Sequence, residues 1–132
     1  MALWRIMAYH LDDGSCPIED WYSAQDDEVK AEFDAALTVL SATVDWTDGW
    51  QFKVLTKRHL GLGEIRFKIE GNPVRRFRPV GIWPPNRERE FVLLAGCEKH
   101  RNFYIPLDAF ALALEYKRHL EVGVGGLHEY IW

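Results

Sequence analysis

Cysteine is scarce in this chain, and its placement gives no sign of a disulfide framework. The two cysteines among the 132 residues, Cys16 and Cys97, show no framework spacing. Cys97 follows the apolar run Phe91–Ala95, so we expect a buried, reduced thiol there. The five histidines fall in no metal-ligand spacing, and we predict neither a structural metal nor a cofactor.

Long apolar segments are also missing. Nothing approaches the length needed to cross a bilayer, and Met1–Arg5 lacks the apolar stretch of a secretory signal. We therefore expect a cytoplasmic protein with no membrane partner. Apolar residues make up 48% of the chain and aromatic residues 14%, which is typical of a globular protein. At this length we predict a single domain over residues 1–132.

The chain does have a strong asymmetry of charge. Residues 51–118 contain 14 Lys and Arg against 7 Asp and Glu, whereas the first fifty residues contain 2 basic and 11 acidic side chains. The net charge of −4 therefore hides a basic region. Such a region favours an anionic partner, and nucleic acid is the first class to consider.

The N-terminal third predicts a strand followed by helices. Leu3–Tyr9 is typical of a short strand, and Ser15 and Pro17 predict the cap and first turn of a helix. Asp26-Asp27 predicts the cap of a second helix, because apolar residues recur at helical spacing over 29–40.

Three strands are predicted in the basic region. Leu62–Glu70 alternates apolar and charged residues, which indicates a half-buried strand with Ile65, Phe67 and Ile69 inward. Its charged residues are expected to face solvent or a ligand: Glu64, Arg66, Lys68 and Glu70. Val74–Ile82 predicts a second strand, in which Pro79 indicates an edge or a bulge. The third strand is Phe91–Gly96.

The C-terminal part predicts one helix and an irregular tail. Pro106 is expected to begin a helix through about Leu120, with Leu107, Phe110, Ala113 or Ala111, and Leu114 facing inward. The tail, about 121–132, contains too many glycines for regular structure. The order of elements predicts an α+β fold, a small, mostly antiparallel sheet with two N-terminal helical segments and a C-terminal helix.

Basic residues follow one another along the predicted strands. Arg66 and Lys68 belong to the first strand and Arg76 and Arg78 to the second, while the segment 98–104 after the third adds further polar residues. Adjacent strands lie about 4.8 Å apart, so these side chains can converge on one concave face. Clustered cations suit phosphate groups, and nearby aromatic rings can stack on bases.

Several segments together resemble the RelE/HigB toxin superfamily, and its phage-derived Gp49-like branch in particular. They are Gly61–Phe67, Val74–Phe77, Phe91–Lys99, Tyr104–Pro106 before an Ala-rich helix, and the helix Ile18–Tyr22. The resemblance covers about Trp4 to Arg118. It implies a RelE-like fold and the toxin of a type II toxin–antitoxin pair, which cleaves mRNA without a metal, usually on the ribosome. Two partners are implied. One is a cognate antitoxin, expected to be a small helix-turn-helix protein, and the other is mRNA on the ribosome.

The resemblance also implies a site. Arg66 matches the basic residue of the family's Glu-Leu-Arg strand and Arg76 the arginine of the next strand. Lys99 falls in the family's Lys-Lys segment, here Glu98-Lys99, and Tyr104 lies near the head of the last helix. His100 is added as an acid or base because its ordinary pKa is close to neutrality. Further RNA contacts are expected from Lys57, Arg58, Lys68, Arg78 and Arg101.

Simpler interpretations stand beside these. Arg66 and Lys68 would equally form a solvated strand face paired with Glu64 or Glu70, His100 an ordinary loop histidine, and Tyr104 a packing residue. Three function classes therefore remain: an endoribonuclease toxin, a degenerate relative that binds RNA or a protein without cleavage, and a module that binds acidic peptides.

Overall fold

The structure is a computed structural model that describes residues 3–59 and 61–132, with the side chain of Arg58 excluded. Within those residues three α-helices are present: α1 (Pro17–Ser23), α2 (Asp27–Ser41) and α3 (Ala109–Glu121). The strands are β1 (Arg5–His10), β2 (Phe52–Val54), β3 (Gly63–Ile65), β4 (Phe67–Ile69), β5 (Arg75–Phe77), β6 (Val80–Ile82), β7 (Glu90–Ala95), β8 (Glu98–His100), β9 (Phe103–Ile105) and β10 (Gly126–Glu129). A 3₁₀ turn covers Lys57–His59.

The strands form two sheets. A six-stranded sheet has the order β10-β1-β7-β6-β3-β2, and a four-stranded sheet has the order β4-β5-β8-β9. Every pairing is antiparallel except that of β1 with β7, which is parallel. The predicted α+β class with mostly antiparallel strands is confirmed.

Two of the predicted strands are broken, because the chain passes from one sheet to the other within each of them. Leu62–Glu70 divides at Arg66 into β3 and β4, and Val74–Ile82 divides at Arg78-Pro79 into β5 and β6. Proline has no N–H for a strand ladder, and the register shifts next to it, between Val80 and Gly81, as expected of a bulge. The predictions of two continuous strands are therefore wrong.

The six-stranded sheet lies between two helical layers. Ile6 and Ala8 of β1 pack into the core formed with α1 and α2, whereas Met7 and Tyr9 pack into the core formed with α3. This alternation follows from the period of two along a strand. The prediction that the N-terminal helices share one face is confirmed.

The starts of the first two helices differ in how they are capped. Asp26 caps α2 as predicted, since its side chain accepts the backbone N–H of Val29 at 3.0 Å. Ser15 does not cap α1; the cap position is Cys16, and Pro17 follows it. The Ser15 hydroxyl instead donates to Asp13 at 2.7 Å, which holds it in the preceding turn.

The last helix begins later than predicted. It starts at Ala109 rather than at Pro106, and Leu107 is 79% exposed instead of facing inward. The residue before a proline favours extended backbone, and Ile105 accordingly ends β9. Tyr104 therefore lies in a strand and not at the head of the helix. Phe110 and Ala113 are buried, and Leu114 packs against the core formed with α3.

The C-terminal tail is more regular than predicted. Strand β10 pairs antiparallel with β1, and the buried Tyr130 donates its backbone N–H to the Ile6 carbonyl at 2.9 Å. The glycines do not prevent this pairing because Gly123 and Gly125 make the turn before β10, at φ of +78° and +75°. In the described part of the chain, no helix is long and apolar enough to cross a membrane.

Gly96 provides a test of this packing. A Cβ atom at position 96 would overlap the ring of Trp21, whereas a Cβ at Gly49 would meet nothing within 4 Å. We expect Gly96→Ala to lower the free energy of unfolding by about 2 kcal/mol, as overpacked cores do, and Gly49→Ala to change it by less than about 0.5 kcal/mol. Urea unfolding measures both, and equal stabilities of the two variants would contradict the packing of α1 on β7.

Candidate nucleic-acid interface

Four of the predicted site residues form a row across the four-stranded sheet. Lys68 on β4 is directly opposite Arg76 on β5, Arg76 is opposite Lys99 on β8, and Lys99 is opposite Tyr104 on β9. Directly opposed residues of antiparallel strands project to the same face. We call Lys68, Arg76, Lys99 and Tyr104 the cross-strand row, and three of its four members are cations.

The two central cations of the row are unpaired. Within the described residues, neither Arg76 nor Lys99 has a carboxylate oxygen within 4.0 Å. Arg76 is exposed and Lys99 half-buried. Lys68 differs, because its ammonium contacts Glu70 at 3.1 Å and lies 6.0 Å from the centre of the Trp50 ring. The centre of the row therefore has positive charge free for an anionic ligand.

A buried carboxylate lies beside the row, where the two sheets meet. Glu64 is only 3% exposed, although it was predicted to face solvent. Its Oε1 accepts Arg66 Nε at 3.1 Å, and Arg66 Nη2 is 3.0 Å from the same oxygen. Its Oε2 has no protein partner among the described residues. Arg66 thus pairs with Glu64 as in the simpler interpretation, but at a buried carboxylate and not on a solvated strand face.

Arg78 lies in the same buried group. Its Nη1 donates to the carbonyl of Phe77 at 2.8 Å, and its Nε is 3.9 Å from Glu64 Oε1 and without a hydrogen-bond partner. Burial lowers the pKa of the Arg78 guanidinium from its ordinary value, while Glu64 opposes that shift. Arg78 is 8% exposed, so its role as a direct RNA contact is not supported by its position.

Tyr104 ends the row on the side of α3. Its ring meets that of Phe110 edge-on, with centroids 4.5 Å apart. Burial raises the pKa of the Tyr104 hydroxyl, and the charge of Glu64 raises it further. At neutral pH the phenol therefore keeps its proton, so it can donate to a strongly basic leaving oxygen but cannot act as a base. Packing and proton donation are compatible for this residue.

His100 and Glu98 alternate with Lys99 and so belong to the opposite face of β8. Glu98 accepts two hydrogen bonds from Arg75, at 3.0 and 2.9 Å, and Arg75 also contacts Asp26 at 3.5 Å. His100 lies 3.5 Å from Glu98 and stacks on Phe103. The negative charge of Glu98 is thus neutralised by Arg75 away from the row. His100 therefore lies outside the row, although it lines the same cleft as Arg76 and Lys99 at the end of these strands.

The remaining residues predicted to contact RNA lie outside the cross-strand row. Arg101 is exposed in the turn between β8 and β9. Together with Arg76 and Lys99 it lines a cleft of about 500 Å³ at the end of these strands. Lys57 is exposed on the 3₁₀ turn, whose His59 stacks on Phe110 at 4.7 Å. The side chain of Arg58 lies outside the described residues.

Glu64, like Arg78, is more deeply buried than its strand pattern predicts. The alternation of Leu62–Glu70 puts it on the same face as Arg66 and Lys68, which is a solvent face in a single flat strand. The bend at Arg66 turns β3 into the interior instead, so that Glu64 is covered. The potential metal ligands that the structure groups, Cys16, Glu19 and His128, lie on α1 and β10 and take no part in this face.

No protein-family model, curated protein or solved structure shows significant similarity to the chain.

Replacement of Glu64 tests the buried group. We expect Glu64→Gln to lower the free energy of unfolding by about 3 kcal/mol, because Arg66 and Arg78 would lose their buried counter-charge. Glu70→Gln is the matched control: its side chain is 74% exposed, and loss of its pair with Lys68 should cost less than about 1 kcal/mol. Denaturant unfolding compares the two, and a Glu64→Gln variant as stable as Glu70→Gln would refute the account.

Proposed function

We propose that this protein is an mRNA endoribonuclease and the toxin of a type II toxin–antitoxin pair, acting in the cytoplasm on ribosome-bound mRNA. The observation that supports this proposal most is the cross-strand row, in which unpaired Arg76 and Lys99 lie between Lys68 and Tyr104. The resemblance of the sequence to RelE/HigB toxins supplies the reaction class.

The dimensions of the row suit an RNA backbone. Neighbouring strands are about 4.8 Å apart, so four aligned side chains extend over about 14 Å. That length follows a stretch of backbone rather than a single phosphate. Guanidinium and ammonium groups hold phosphate oxygens by charge-assisted hydrogen bonds, whose strength does not depend on the base sequence.

The proposed reaction is an internal transesterification. The 2′-oxygen forms a bond to the adjacent phosphorus while the bond to the 5′-oxygen breaks, which leaves a 2′,3′-cyclic phosphate and a 5′-hydroxyl. Arg76 and Lys99 stabilise the negative charge that develops on the phosphorus oxygens. Tyr104 donates its phenolic proton to the departing 5′-oxygen and is reprotonated through water by the proton that the 2′-oxygen releases.

The row contains no group that would accept the 2′-proton. Its members are three cations and one protonated phenol, and Glu64 is buried in contact with Arg66. We therefore expect free RNA to be a poor substrate. In the proposed step the 2′-proton passes to water, and a ribosome that orients the 2′-hydroxyl for in-line attack would offset the lack of a base by positioning.

A RelE-like fold is part of the proposal. The α+β order with two N-terminal helices, mostly antiparallel strands and a C-terminal helix supports it. The same face would receive an antitoxin, because carboxylates of an acidic segment can occupy the positions that phosphates take on Arg76 and Lys99. The alternative function is a protein that binds RNA or such a segment at these cations without cleavage.

Single substitutions in the row test catalysis. We expect Arg76→Ala and Lys99→Ala each to reduce mRNA cleavage on translating ribosomes by about a hundredfold or more, as does removal of one transition-state donor in other enzymes. Tyr104→Phe should also slow cleavage, because it removes the proton donor while keeping the ring that packs on Phe110. Primer extension on the mRNA measures each rate.

Two control variants test whether any loss of cleavage is specific to the row. One removes a cation elsewhere on the surface, and the other changes a residue on the opposite face of β8. Lys53→Ala removes an exposed cation of β2, and His100→Gln changes the histidine beside Glu98. Lys53→Ala should retain cleavage. His100→Gln should retain it as well, and loss of cleavage there would place His100 in the site through the cleft that it shares with Arg76 and Lys99. Full activity in Arg76→Ala and Lys99→Ala would overturn the proposed site, whereas binding without cleavage by the unaltered protein would favour the alternative function.

Antitoxin binding gives an independent prediction. The protein encoded next to this chain should relieve its toxicity on co-expression and bind it less tightly as salt rises from 0.1 to 1 M, because salt screens charge pairs. Arg76→Glu and Lys99→Glu should weaken binding at least tenfold, and Lys53→Glu should not. Calorimetry measures these affinities, and salt-independent binding would argue against the cationic face.

A further inference from the structure

A second group of reactive side chains lies where α1 meets the C-terminal strand. Cys16, Glu19 and His128 each offer one ligand atom, and these atoms all lie within 4.8 Å of one another. His128 Nε2 is 2.9 Å from Glu19 Oε1. Cys16 and Glu19 are three residues apart across the first turn of α1, which places them on one side of it. We call these three residues the Cys16 cluster.

A fourth residue orients the histidine of this cluster. His10 on β1 stacks against His128, and their Nδ1 atoms are 2.9 Å apart. When His128 Nδ1 carries the proton and donates it to His10 Nδ1, the lone pair of His128 Nε2 points toward Glu19. A hydrogen bond that fixes the far nitrogen is the usual support of a metal-bound histidine.

The chemistry of the three side chains selects one class of ligand. A thiolate, a carboxylate and a neutral imidazole together carry two negative charges, which balance a divalent cation. Sulfur and nitrogen donors favour zinc over magnesium or calcium. We infer that the Cys16 cluster binds a zinc-type divalent ion through Cys16, Glu19 and His128, with water as the fourth ligand.

The geometry requires only a small adjustment. With bonds of about 2.0 Å to oxygen and nitrogen and 2.3 Å to sulfur, ligand atoms in a tetrahedral site are about 3.3–3.5 Å apart. Buried Cys16 is the fixed point of the cluster, at 4% exposure. The side chains of Glu19 and His128 are 51% and 36% exposed, so they can close on an ion that enters from solvent.

The position of the ion gives it a structural role. It would join the start of α1 to β10, which reaches β1 from the far end of the chain. Sequence spacing cannot reveal such a site, because Glu19 and His128 are 109 residues apart. The site is separate from the cross-strand row, so it neither requires nor tests the proposed nuclease activity.

Cobalt titration of the tag-free, metal-stripped full chain tests the inference. We expect one Co²⁺ per chain, with the intense visible bands of tetrahedral cobalt and a thiolate charge-transfer band in the near ultraviolet. Cys16→Ser should abolish the charge-transfer band, and Glu19→Gln and His128→Gln should weaken binding at least tenfold. Zn²⁺ should displace the cobalt and raise the melting temperature of the unaltered protein.

Variants elsewhere in the chain serve as controls. Cys97→Ser changes the other buried cysteine, and His119→Gln changes a histidine of α3 that contacts Tyr9. Both should bind cobalt as the unaltered protein does. Because Glu19 is exposed, Glu19→Gln also remains informative if Cys16→Ser fails to fold. The inference is overturned if the unaltered protein gives no thiolate band with excess cobalt, or if Glu19→Gln and His128→Gln bind cobalt normally.

Discussion

The burial of the Glu64 carboxylate is the constraint on which the rest of this structure depends. An unpaired charge in a protein interior is very unfavourable. The Glu64 carboxylate is tolerated because Arg66 donates a hydrogen bond to it and the Arg78 guanidinium lies 3.9 Å away. The three residues occupy the place where the chain passes between the two sheets. The bends at Arg66 and Arg78, where each chain segment changes sheet, therefore coincide with this ionic group.

The same strands sort their charges by face. Arg76 and Lys99 project to the side of Tyr104, whereas Arg75 and Glu98 project to the other side and neutralise each other. The segment Glu98-Lys99-His100 carries side chains of both charges, but it places only its lysine in the row. This sorting leaves two adjacent cations without partners among the described residues, and that is the physical basis of the proposed phosphate-binding face.

The sequence predicted local features well and long-range ones poorly. The helix of residues 29–40 and its Asp26 cap follow from spacing within one segment. The period of two gave Lys68 and Arg76 of the row, but it also predicted Arg66 and Arg78 beside them, whereas both lie against the buried Glu64. The depth of Glu64 and the pairing of β10 with β1 depend on residues far away in the chain. Tyr130, for example, is buried by contacts made more than a hundred residues away, which no local pattern records. The β8–β9 hairpin is local, and it was missed because Pro106 was expected to begin a helix there.

We propose above that the cross-strand row stabilises a transesterification of RNA. The chemical ends of mRNA cleaved on translating ribosomes test it most directly, because attack by the 2′-hydroxyl and attack by water leave different groups. The account predicts a 5′-hydroxyl on one fragment and a 2′,3′-cyclic phosphate, or the phosphate from its hydrolysis, on the other. Fragments with a 5′-phosphate and a free 3′-hydroxyl, or uncut mRNA, would contradict it.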